Sequence, residues 1–164
     1  MLATIHPLPK WQIGLRIVSV FCLVCGIISV CFIYGLRYDQ KTITLETETK
    51  KVLVRVELAL TPTKQAIGLM YRSQLDPNQG MLFVFPNKKM VYMWMKNTYL
   101  PLDMIFFDET GHITHIHENA RPLDKTTISS NVPAIGVLEV NAGFVQNQGI
   151  KIGQKIDIGK AISK

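Results

Sequence analysis

The segment Trp94-Met-Lys-Asn-Thr-Tyr-Leu-Pro-Leu-Asp103 holds the densest set of side chains able to do chemistry. An indole at Trp94, a cation at Lys96, an amide at Asn97, a hydroxyl at Thr98 and a carboxylate at Asp103 suit recognition of a sugar or other polar ring compound. The same residues have a structural reading. Asn97, ahead of Pro101, can close an Asx turn, and Asp103 can be satisfied by Lys96 or by backbone amides. Arg72 and Glu139 complete the set. Glu139 interrupts the apolar run Gly136-Val-Leu-Glu-Val140, so its carboxylate either points to solvent or needs a cation, for which Arg72 and Lys96 are available. Asp103, Glu139 and Lys96 would also serve an acid/base hydrolase or lyase, but two carboxylates define such a reaction only when their geometry is right.

Other chemistries find less. His115 and His117 lie two apart on one strand face with His112 opposite, which makes half of a zinc site without a third ligand at a diagnostic spacing. There is no Gly-rich phosphate loop, Gly-x-Ser-x-Gly elbow or His-Glu-x-x-His segment. Neither a metal nor a cofactor is therefore expected. All three cysteines, Cys22, Cys25 and Cys31, precede residue 37, which leaves no disulfide or thiolate chemistry beyond it.

The elements that must position these residues are mostly strands. Val52, Val54, Val56, Leu58 and Leu60 recur at period two with Arg55 and Glu57 between them, a half-buried strand. Thr61-Pro62 ends it and starts a helix, expected to carry Ala66, Leu69 and Met70 on one stripe and to fade near Arg72. Apolar runs at 81–85 and 90–95 follow the turn residues Asp76 to Gly80. Residues 104–107 and 112–117 flank Asp108-Glu-Thr-Gly111 as a hairpin. Residues 121–133 read as a loop, 136–140 as a strand, 141–148 as a short helix capped by Asn141 and closed by Gly149, and 153–158 as a last strand. The expected fold is mainly β, a compact sandwich or distorted barrel with one or two short helices.

The chain is 164 residues long, 48% hydrophobic, with a formal net charge of +6. Much of the apolar content lies in the uncharged run Ile17 to Leu36, bracketed by Arg16 and Arg37. As a helix this run would span roughly 30 Å, the thickness of a bilayer core. It exceeds an ordinary signal-peptide core and lacks a small-x-small cleavage site after it, and Val30 before Cys31 argues against lipoprotein processing. The expected organisation is a tail at 1–16, a transmembrane signal anchor at 17–36, a tether or edge strand at 37–50 and a β-rich domain at 51–164. Flanking Lys and Arg lean toward the opposite orientation, but long domains translocate with little regard to such charges, and the domain is placed on the extracytoplasmic side of the cell membrane. Beyond the run, the basic residues are scattered and only Lys50-Lys51 and Lys88-Lys89 are adjacent. That excludes a nucleic-acid stripe and suits nearness to anionic lipid.

Five collinear motifs, Gly68-Leu-Met-Tyr-Arg72, Gly80-Met-Leu-Phe-Val-Phe85, Trp94-Met-Lys-Asn-Thr98, Pro101-Leu-Asp103 and Leu138-Glu-Val-Asn-Ala-Gly143, resemble the domain of unknown function 192 family over roughly Val52 to Ile158. The resemblance implies a compact β-rich domain, often behind a signal peptide or membrane anchor, and no established reaction. Lys64-Gln65 and Tyr92-Met93 depart from the usual pattern at helix-surface and packing positions. The anchor, the lack of a nucleophile-base set and the aromatic-cation cluster at Trp94 and Lys96 lead instead to the expected function, an anchored module that binds a small polar ligand or assists an envelope assembly. The alternatives are the acid/base enzyme and a structural module that docks an envelope protein.

Overall fold

A computed structural model describes residues 37–159. The apolar run at 17–36 and the three cysteines lie outside the described residues. Among the described residues no helix is long and apolar enough to cross a membrane.

Seven strands form one mixed sheet and two short ones form a ribbon. The strands are β1 (Gln40–Glu46), β2 (Lys51–Ala59), β3 (Gln79–Lys89), β4 (Tyr92–Met93), β5 (Leu102–Phe107), β6 (Ile113–Ala120), β7 (Ile128–Ser129), β8 (Ala134–Asn141) and β9 (Lys155–Asp157). The sheet order is β6-β5-β8-β3-β2-β1-β9, and β4 pairs with β7. Only β2 and β3 run parallel, and helix α1 (Pro62–Ile67) lies in the crossover between them. The expected edge strand at 37–50 is instead one place in from the edge, because β9 pairs outside it. The arrangement is thus a single curled sheet rather than two stacked ones.

Curling follows from the contact between the sheet's ends. His112, after the β5–β6 turn, bridges to Lys155 of β9. Ile113 N–H donates to the Gln154 carbonyl and Ile156 N–H to the Gly111 carbonyl, both at 2.8 Å. Gly111 has φ +84°, and a Cβ there would overlap the Ile156 carbonyl oxygen, so the closure needs a glycine.

Period-two alternation gives the sheet two apolar faces. The inner one gathers Val54, Val56, Leu82, Ile105, Phe107, Leu138, Val140 and Ile156. The outer one gathers Met81, Phe83, Leu102, Met104, Phe106 and Val137, and is covered by Leu69, Val91 and Met95. The central strands β3, β5 and β8 are therefore buried on both sides.

The helices are shorter than the periodicity predicts. Thr61 caps α1, its hydroxyl accepting from Lys64 N–H at 3.3 Å, with proline in the first turn. The helix stops at Gly68, so Leu69 leaves it to cover the outer face and Ala66 faces solvent. The second helix, α2 (Phe144–Gln148), is capped by Gly143 rather than Asn141, whose side-chain amide donates to the carbonyls of Leu75 and Asp76.

Gly136 sits where β8 passes between the Phe107 ring and the Phe83 carbonyl, and a Cβ there would overlap both. Gly136→Ala is expected to destabilise the domain by about 3 kcal/mol, the upper end of overpacking costs. Denaturant unfolding of the purified variant checks this.

Candidate functional site

The sheet register separates the two candidate carboxylates. On β5 and β8, Asp103 pairs with Val140 and Met104 with Glu139. Asp103 therefore shares the inner face with Val140, and Glu139 shares the outer face with Met104. Lys96 lies in an exposed turn with its ammonium 5.2 Å from the Trp94 ring centroid. The acid/base arrangement of Asp103, Glu139 and Lys96 is not assembled.

Asp103 holds the fold together. It is fully buried, and its two oxygens accept from Asn119 N–H at 2.9 Å and Val145 N–H at 3.0 Å. The second bond satisfies an amide in the first turn of α2, whose glycine cap has no side chain for the task. Of the partners expected for Asp103, backbone amides are the ones found.

Arg72 does not reach Glu139 either. Its guanidinium forms a two-pronged pair with Glu57, both bonds 2.7 Å, and lies 5.6 Å from the Tyr38 ring centroid. The Glu57 hydrogen bonds raise the Arg72 pKa, with burial opposing. Sequence reading placed Glu57 on the polar side of β2 but could not pair it, since the two residues meet only after the crossover returns the chain to that strand.

Glu139 is the unusual residue. It is 4% exposed on the doubly buried strand β8, opposite Met104 on β5 and Met81 on β3. Among the described residues no group hydrogen-bonds to its carboxyl, and burial pushes its pKa up to about 8. The carboxyl borders a cavity of about 80 Å³ on the outer face. Thr98, Trp94, Met93, Tyr92, Phe83 and the segment from Gln65 to Met70 form the rest of the wall.

Local turns explain which site residues arrive there. Of the run expected at 90–95 the strand β4 takes Tyr92 and Met93, and a turn closes beyond it as Thr98 N–H donates to the Met95 carbonyl at 3.1 Å. Thr98 is thereby buried against the cavity while Trp94, 49% exposed, stands at its rim. Asn97 takes φ +55° and makes no Asx turn. Its amide donates to the Tyr71 hydroxyl at 2.7 Å, and its carbonyl accepts from Tyr71 N–H at 2.8 Å. These bonds tie the turn to the segment after α1. Of the seven expected site residues, then, Trp94, Thr98 and Glu139 converge, Asn97 braces the turn, Lys96 lies outside, and Arg72 and Asp103 serve other contacts. Tyr92 and Phe83 are wall residues that read in the sequence only as strand packing.

Elsewhere, His115 stacks on Phe106 at 5.7 Å, and burial lowers its pKa. Among the described residues no group of three or more His, Cys, Asp or Glu is placed to hold a metal. A larger, open hollow of about 480 Å³ lies beside α2, lined by residues including Glu118, Gln146 and Lys151. Two of its lining residues, Asn119 and Val145, give their backbone N–H groups to Asp103.

Fold and site together define a partly closed β-barrel domain with a buried, unpartnered carboxyl at a small aromatic-rimmed cavity. Residues 43–158 match the domain of unknown function 192, described as an uncharacterised ACR, and the chain belongs to that family. Solved structures resemble it, and two of them are the following. One is a candidate transcription regulator from Sinorhizobium meliloti 1021, 44% identical, covering 74% of this chain and 95% of its own, with a TM-score of 0.73. The other is a protein of unknown function from Novosphingobium aromaticivorans DSM 12444, 37% identical, covering 71% of this chain and 84% of its own, with a TM-score of 0.70. Among curated proteins nothing matches.

Two measurements test these assignments. Asp103→Ala strands two amides and is expected to cost on the order of 3 kcal/mol in urea unfolding. For Glu139 the folded pKa lies above the unfolded one. Its contribution to stability is full below about pH 4.5 and is lost as pH rises toward about 8, by at most about 1.4 kcal/mol per unit. Thermal melts at pH 5 and pH 8 should show the wild type losing stability relative to Glu139→Gln as pH rises.

Proposed function

We propose that this domain is carried on a membrane anchor formed by residues 17–36, on the extracytoplasmic side of the cell membrane, and binds a small polar ligand at the Glu139 cavity. The observation that carries the binding reading is a buried carboxyl without a partner, opening onto a cavity whose rim presents Trp94 and Tyr92. A buried polar group with no partner is costly, and a ligand that hydrogen-bonds to it recovers that cost. The size of the cavity admits one polar substituent rather than a sugar ring, so a ring compound would stack outside on Trp94. The uncharged apolar run supports the anchor, and the external placement rests on what the family resemblance implies.

A second reading is favoured by the exposed Tyr71, Trp94 and Tyr99, which offer apolar area for an envelope protein. The acid/base enzyme is not retained, because Asp103 and Glu139 face opposite sides of the sheet. The name of the Sinorhizobium protein suggests nucleic acid, but five cations of this domain are engaged in ion pairs dispersed over its surface, including Arg55 with Asp76 and Lys88 with Glu109. No nucleic-acid role is proposed.

The test is tryptophan fluorescence of the full chain in detergent, titrated with sugars, muropeptides, amino acids and amines. A saturable response is expected from at least one compound, absent in Trp94→Phe and at least tenfold weaker in Glu139→Ala. Flat titrations throughout, with copurification of an envelope protein that is lost in Trp94→Ala, would favour the second reading. For the anchor, a periplasmic-type reporter fused after Lys164 is expected to be active, and activity of only the cytoplasmic-type reporter would reverse the placement.

A further inference from the structure

Resting on the reading of the Glu139 cavity as a binding site, we infer that the group it takes is a primary ammonium on a short apolar stem. The cavity of about 80 Å³ has room for two or three water-sized groups, enough for an aminomethyl or aminoethyl head. Its wall carries one acidic side chain and no cation, since Arg72 is held by Glu57 and Lys96 lies outside. The remaining wall is rich in aromatic and thioether groups, including Phe83, Tyr92, Trp94 and Met93. Aromatic faces attract a cation, and in a water-poor site that attraction adds to the ion pair. A neutral hydroxyl would gain the hydrogen bond but neither electrostatic contribution.

Glu139 has few competing charges around it. Strands β3 and β5 set Met81 and Met104 beside it, and Glu57 with Arg72 lies one strand beyond Met81. Tyr92 is the other titratable side chain on the cavity wall among the described residues. Near neutral pH burial keeps the empty carboxyl protonated. Entry of an ammonium then leaves a carboxylate paired with the ligand's N–H groups, while the carboxyl proton passes to solvent. Binding should release close to one proton per ligand at pH 7 and tighten about tenfold per pH unit from 6 to 7, levelling above about 8.

Calorimetry of the full chain in detergent with methylammonium and ethylammonium tests this. Phosphate and HEPES buffers at pH 7 differ in ionisation enthalpy and so report proton release. Binding is expected to be saturable, to release protons, and to weaken at least thirtyfold in Glu139→Gln. Glu139→Asp should keep proton release at lower affinity, which separates loss of charge from loss of fold. Ethanol and glycerol serve as neutral probes. Equal affinity in wild type and Glu139→Gln, or binding without proton release, would overturn the inference. Response to neutral probes alone overturns the ammonium assignment and keeps the cavity as a binding site. Silence toward every probe here and in the wider fluorescence screen removes both.

Discussion

Strand β8 is enclosed on all sides, hydrogen-bonded to β3 and β5 along its edges and packed against apolar side chains above and below. A polar side chain on such a strand has no route to solvent except through whatever covers that face. Glu139 is placed under this constraint, and most of the domain's chemistry follows from it. The cover over its face is incomplete at one place, where the turn at Met95–Thr98 and the segment after α1 leave a small opening. Had Arg72 reached that opening, the carboxyl would be an internal ion pair. It is bound instead to Glu57, two strands away along the row Glu139, Met81, Glu57.

The two buried carboxylates illustrate opposite outcomes of similar burial. Asp103 and Glu139 are both nearly inaccessible, and both lie in strands that flank one another. Asp103 meets two backbone amides that would otherwise be stranded, so charge and burial are reconciled within the protein. Glu139 meets thioethers and aromatic rings, and burial alone raises its pKa to about 8. A single step in register, with its switch of sheet face, makes one a structural tie and leaves the other facing a cavity without a hydrogen-bond partner.

Much of the architecture was legible because it depends on local pattern. The alternation from Val52 to Leu58, the Thr61-Pro62 start of α1 and the hairpin around Asp108 to Gly111 are stretches where neighbours in sequence carry the determining contacts. The length of α1 was less legible, because Leu69 and Met70 continue a helical period while Leu69 is drawn out of the helix to cover the sheet. The position of Asn97 ahead of Pro101 suits a bond to its own backbone, yet its partner is Tyr71, twenty-six positions away. Of the seven residues expected at a site, the three that converge come from two regions of the chain that only strand order and a turn bring together.

The sequence by itself determined the β-rich class, the family, and the presence of carboxylates in segments otherwise apolar. It did so because side-chain alternation, caps and turn residues act over a few positions, and because collinear motifs survive without coordinates. Tertiary structure decided which carboxylate was satisfied. Asp103 draws its partners from 16 and 42 residues along the chain, and Arg72 takes Glu57 from a strand 15 residues before it. Such pairings depend on which strands lie side by side and which face each residue presents. Those are properties of the whole sheet, and no short stretch of sequence carries them.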